Sequence, residues 1–174
     1  MLPQIFEGSR AIGLQVSMNG QDFALARFPP NMHLENQAYT VLESSTDSVF
    51  LHVTTHADAG SEWGTLFKSN WNGTYYSPAL EFVNRNGKGF VDFEKMVGLD
   101  GIAVMNIVSN PEEAALSGNK KLQTKITHND GGRWTPMAPP ARDSLGQAYE
   151  CNTAVSRLAL PVIIVPLADD VRRH

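Results

Sequence analysis

The chain has 174 residues, a net charge of −4 and an apolar share of 42%, which is enough for one domain with a core and too apolar for a disordered segment. No basic patch is interleaved with aromatics, which excludes a nucleic-acid partner. No apolar run reaches the roughly 20 residues of a membrane helix, so no membrane contact is expected of this chain itself. In chain order, Met1 to Glu7 lacks the basic start and apolar run of a signal peptide. Ala11 to Val16 reads as a strand, turned by Ser17 to Asp22 with Asn19-Gly20 at its centre, and Phe23 to Phe28 as its return. Gln37 to Glu43 is the next strand, followed by a turn over Ser44 to Asp47. Ser48 to Thr54 alternates, with Val49, Leu51 and Val53 on one face and Phe50 and His52 on the other. A polar loop follows from His56 to Glu62. Gly64 to Lys68 and Thr74 to Leu80 form a hairpin on Asn72-Gly73. After a loop at Asn84 to Gly89 come a short strand to Phe93 and an apolar one at Ile102 to Val108. Asn110 to Lys121 is polar and reads as a surface insertion rather than a helical turn begun by Pro111. Leu122 to Thr127 is a strand, and Pro136 to Gln147 is irregular. Short strands, Gly-rich turns and no amphipathic helix predict an all-β fold.

The chain is organised around Thr127-His128-Asn129-Asp130-Gly131-Gly132-Arg133-Trp134. Asn and Asp can bond the turn's own backbone, and Gly supplies the positive φ of a tight hairpin. A Thr or Ser, then Asn or Asp, then Gly, then an aromatic is the order of an Asp-box, a turn that recurs in β-propellers. Ser69, Gly73 and Tyr76 repeat it, with Trp71 where the later box has Asn129. Ser17, Gly20 and Phe23 repeat it one residue short. The glycines lie 53 and 58 residues apart by subtraction, a period that suits one four-stranded blade. Three unrelated hairpins in a β-sandwich is the bland alternative. Trp134, Tyr76 and Phe23 are expected in the core, and Thr127, Asn129 and Gly131 serve the turn.

Longer blocks occur in fixed order: Ser48-Val49-Phe50-Leu51-His52-Val53, Gly64-Thr65-Leu66-Phe67-Lys68-Ser69, Val91-Asp92-Phe93, Gly98-Leu99-Asp100-Gly101-Ile102, and Lys121 to Ile126 before the box. From about Leu14 to Cys151 the chain resembles the sortilin family of vacuolar protein-sorting receptors, most of all its fungal members. The resemblance implies a partial β-propeller over residues 11–151, about three blades of a ten-bladed ring. It implies no catalytic residue and no cofactor. The chain would be part of a single-pass receptor facing the lumen of the late Golgi and endosome, with soluble vacuolar hydrolases or peptides as cargo. Lone Cys151 read literally describes a reduced, cytosolic protein; the resemblance overrides that reading. In the family a second Cys closely follows this position, whereas here Asn152-Thr153-Ala154 follows. Residues 152–174 are therefore expected to be an atypical tail, a gene-model artefact in which translation runs past Ala154 into an unspliced intron.

In relatives a peptide can lie along a blade strand. By position Tyr39 and Val41 fall on that strand and Leu14 lies near it, although ordinary packing also accounts for them. The arginine that grips a peptide carboxylate there has no clear counterpart; Ile12 falls nearest and Arg10 is two residues away. Asn72-Gly73-Thr74 is an N-glycosylation sequon at Asn72. His52 reads as a packed histidine, with a pH switch for cargo release as the sharper alternative. His56 and Asp58 lack a second ligand pair, so no metal site is expected. Two other functions stay open: a non-functional truncated fragment, and an Asp-box glycosidase, for which no arginine cluster or paired acids are grouped.

Overall fold

The structure, a computed structural model, describes residues 3–5, 12–30, 39–43, 48–138, 141–142 and 145–148. Arg10, the expected turn at 44–47, Cys151 and the tail 152–174 lie outside them. Eleven strands and one helix are described: β1 Pro3–Ile5, β2 Ile12–Val16, β3 Ala24–Leu25, β4 Tyr39–Glu43, β5 Phe50–His56, β6 Trp63–Ser69, β7 Tyr76–Asn84, β8 Phe93–Lys95, β9 Ala103–Val108, α1 Pro111–Ser117, β10 Leu122–Thr127 and β11 Thr135–Pro136. All named pairings are antiparallel. Strands β1, β2 and β3 form one small sheet. The others join in an eight-stranded sheet, within which β4–β7 and β8–β11 are two successive up-and-down units. In the strand ladder those units are paired at one position, Val83 with Ile107. The result is a partial β-propeller, and each Asp-box joins the last two strands of its unit: β2 to β3, β6 to β7, and β10 to β11.

The core lies between the units. Leu51 and Val53 on β5 pack with Leu14, Val16 and Ala26 of the first unit and with Phe67 and Tyr76. Phe50, on the other face of β5, packs with Leu66, Val83 and Met105 toward the third unit. The alternation read in Ser48 to Thr54 therefore holds, but neither face meets water: each turns toward a neighbouring unit, as stacked sheets require.

Several expectations change. The return strand expected from Phe23 to Phe28 shortens to Ala24–Leu25. Ala26 still donates to the Leu14 carbonyl, but Arg27 donates to the Thr74 carbonyl and accepts from Tyr76. The backbone thus leaves its own sheet to seal against the second unit. His56 belongs to β5, not to the loop, and β8 forms at Phe93–Lys95 rather than before Phe93. Strand β7 runs past Leu80 to Asn84 through Phe82, whose φ of 57° marks an irregularity where the register with β6 shifts. The expected insertion at Asn110 to Lys121 contains the helix α1. Pro111 fits the first turn, and Gly118 at φ 73° closes the helix by donating to the Ala114 carbonyl. Only Ala114 is buried, against Trp63 and Val108, so no apolar stripe advertises this helix. Phe23 is 44% exposed rather than core.

Candidate functional site

The first and third boxes share a wiring, from which the second departs. In the third, Thr127 Oγ1 accepts from Gly131 N at 3.0 Å and donates to Asn129 Oδ1, which accepts from Arg133 N at 2.8 Å. In the first, Ser17 Oγ accepts from Gly20 N at 2.8 Å, and Asn19 Oδ1 accepts from Gln21 N and Asp22 N at 2.9 Å. The loop that is one residue short keeps the same bonds. In the second, Trp71 cannot accept, and Asn70 takes over: its Oδ1 accepts from Thr74 N at 2.9 Å and Tyr75 N at 3.1 Å. Ser69 has a different task from Thr127. Its Oγ accepts from Val49 N at 2.7 Å and donates to the Asn70 carbonyl, fastening the turn to the start of β5.

Two of the box aromatics meet the preceding unit. Tyr76 is buried and stacks on Phe28, with centroids 4.8 Å apart; burial raises its hydroxyl pKa to about 12. Trp134 is partly buried against the Phe50 cluster. Gly131 lies so close to Phe50 that a Cβ there would sit 2.8 Å from the ring. Lys68 Nζ reaches across from β6 to the Asp130 carbonyl at 2.6 Å and to Asp130 Oδ2 at 2.7 Å. This tie joins residues 62 positions apart and has no sequence signal short of the full register. The boxes are turns and inter-unit fasteners, and their hydroxyls are used in those bonds.

The exposed feature is β4. It pairs with β5 on one side and is the last strand of the sheet order among the described residues. Tyr39 is 36% and Val41 44% exposed. Leu14 is buried in the core beneath Val53, the register partner of Tyr39, so it supports that strand and presents no surface. Arg85, which sequence reasoning did not single out, extends Nη1 to Thr40 Oγ1 on β4 at 3.3 Å and to Thr54 Oγ1 at 3.4 Å. No carboxylate lies within ion-pair distance of it among the described residues. Only the pairing register of β4 and β5 reveals that it belongs beside this edge.

His52 is fully buried. Its Nε2 lies 3.4 Å from the Val83 carbonyl, which can only accept, so Nε2 carries the proton and Nδ1 is left without a partner. Burial pushes its pKa down to about 4, opposed by the Val83 carbonyl and aided by the Arg85 charge. The ring stays neutral through mildly acidic pH, which agrees with the reading of His52 as a packed histidine rather than with its pH-switch alternative. His56 stacks on Trp63 at 3.9 Å, with Asp58 3.4 Å from its Nε2. Lys120 donates to the Glu62 and Arg85 carbonyls, and burial lowers its pKa. No group of three or more metal-ligating side chains occurs among the described residues. No helix there is long and apolar enough to cross a membrane.

Comparison with known proteins agrees with this architecture. The family described as sortilin, neurotensin receptor 3 matches residues 4–165. Proteins called vacuolar protein sorting/targeting protein 10 are similar over most of the chain: 65% identical over 146 residues in Mycosarcoma maydis, 58% over 143 in Laccaria bicolor, and 50% over 147 in Aspergillus terreus. These matches cover 83%, 82% and 84% of this chain and 10% of each relative, so the chain spans about a tenth of the length of the curated relatives it matches. With three linked boxes, a propeller-type core between units and a family match over nearly the whole sequence, the chain belongs to the sortilin–Vps10 family.

Proposed function

We propose that this chain is a luminal segment of a single-pass sorting receptor, which carries soluble hydrolases from the late Golgi to the vacuole or endosome. Cargo docks as an extended peptide along the free edge of β4. Residues 11–151 form the propeller segment, and its role is binding rather than catalysis. The relatives' names support the sorting role. The observation that carries the binding mode is the edge itself: backbone groups without a strand partner among the described residues, flanked by the exposed side chains of Tyr39 and Val41. A free edge accepts a peptide by main-chain hydrogen bonds, and its exposed side chains select among sequences. Arg85 adds a positive charge suited to an acidic or terminal carboxylate of the cargo.

The test is made in the full receptor. Tyr39→Asp with Val41→Asp puts two like charges on the edge without touching the core. Binding of purified hydrolase should weaken by at least about tenfold, near 1.4 kcal/mol, and the hydrolase should be secreted from cells. Arg85→Gln should weaken acidic cargo more than neutral cargo. Unchanged binding by a normally expressed double variant would rule out this edge.

A further inference from the structure

We propose that Asn72 carries an N-linked oligosaccharide whose first N-acetylglucosamine lies against the exposed indole of Trp71. The proposal rests on the luminal reading above, because the sugar donor is met only there. Asn72-Gly73-Thr74 is the one Asn-x-Ser/Thr triplet among the twelve asparagines of the chain, and it occupies the turn between β6 and β7. Triplets of this kind are common by chance; the geometry of this one is what carries the argument.

Both hydrogen bonds of the Asn72 side chain end on its oxygen. Thr74 N donates to Oδ1 at 3.2 Å and Thr74 Oγ1 donates at 2.6 Å. Nδ2, the atom to be modified, donates to nothing among the described residues. Asn70, two positions earlier, differs: its Oδ1 holds Thr74 N and Tyr75 N, and its Nδ2 reaches Thr74 Oγ1. Asn19 in the first box likewise spends its Nδ2 on Asp22. The position equivalent to Asn72 in the third box is Asp130, tied across to Lys68. Asn72 makes no bond outside its own turn among the described residues. A sugar on Nδ2 therefore removes one unused hydrogen and leaves the turn's bonds in place.

The surroundings suit the same occupant. Trp71 is 69% exposed, and the apolar C–H face of a sugar packs well on an indole. The turn joins the two strands of its unit farthest from β4, so a glycan there leaves the proposed cargo edge open. In the transfer, Nδ2 attacks the anomeric carbon of a lipid-diphosphate-linked oligosaccharide. The C–N bond forms, the bond from that carbon to the diphosphate oxygen breaks, one Nδ2 proton is released, and the lipid diphosphate leaves with the bonding pair.

The experiment uses the full receptor purified from its own cells, with intact-glycopeptide mass spectrometry on the tryptic peptide Ser69–Arg85. Protease protection of the same segment is measured in sealed vesicles. The expected result is a protected segment whose peptide carries the oligosaccharide. The sugar should disappear in Asn72→Gln and Thr74→Ala and persist in Thr74→Ser. In Trp71→Ala the sugar should remain but be released several-fold faster by an amidase acting on the native protein. A protected segment with a bare peptide overturns the site and leaves the luminal reading standing. A bare peptide on a segment open to protease from outside overturns both. Unchanged release from Trp71→Ala removes the indole contact.

Discussion

His52 shows how much one buried side chain can couple folding to pH. Its ring is fully buried against Gly64, where even a Cβ would lie 2.7 Å from the imidazole, and among the described residues no neighbour offers Nδ1 a hydrogen bond. The pKa is lowered from 6.5 to about 4, chiefly by burial. A base with a lower pKa folded than unfolded binds its proton more readily when unfolded. Its neutral form is therefore fully compatible with the fold above about pH 6.5, and stability declines as pH falls from there toward 4. At most this amounts to about 3 kcal/mol. Urea unfolding at a series of pH values should show that slope, and His52→Gln should flatten it. An equal slope in the variant would assign the acid sensitivity to other groups.

At the scale of the element, the box turn combines a left-handed glycine with a contact to the preceding unit, and two positions separate these effects. Gly20 and Gly131 have nearly the same φ, 76° and 79°. A methyl group added at Gly20 would meet nothing within 4 Å, whereas one added at Gly131 would meet the Phe50 ring at 2.8 Å. Gly20→Ala should cost about 1–2 kcal/mol from backbone strain alone. Gly131→Ala should cost about 1–3 kcal/mol more, because buried Phe50 must shift. Urea midpoints compared at equal, low protein concentration check this, and equal losses would mean that the close approach to Phe50 is easily relieved. Much of this was legible in the sequence. Ser17, Ser69 and Thr127 mark three equivalent hairpins, because turn chemistry is local and depends on residue type. The switch of role from Trp71 to Asn70 was not legible, since either neighbour can supply an oxygen and only geometry decides. Nor was α1, whose single buried residue leaves no periodicity to read. Tyr39 and Val41 could be placed on a strand, but their exposure, the burial of Leu14 and the nearness of Arg85 depend on which strands pair.

The repeat also has a consequence for the whole molecule. Tyr76 and Trp134 each pack on the unit before their own, and the cores lie at those two junctions. Phe23 holds the same place in the first box, and it joins neither core. It is 44% exposed, with Met18 at 72% and Leu25 at 53% nearby in sequence. The β4 edge is also open, so the described residues present both an exposed apolar face and a strand with one unpaired edge. Each large side chain moved from water into a contact contributes about 1.5–3 kcal/mol. Three such contacts at the upper end of that range approach the roughly 8 kcal/mol of a micromolar association, before the cost of bringing the partners together. The isolated chain should therefore sediment as a concentration-dependent mixture of species. Phe23→Glu should move the midpoint of association upward by at least about tenfold, equivalent to 1.4 kcal/mol. That variant leaves the cores between units untouched, so its thermal unfolding at low concentration should match the parent. A parent chain that stays monomeric at every concentration and melts sharply would show that this face is satisfied within the chain, and that three units are a complete folding unit on their own.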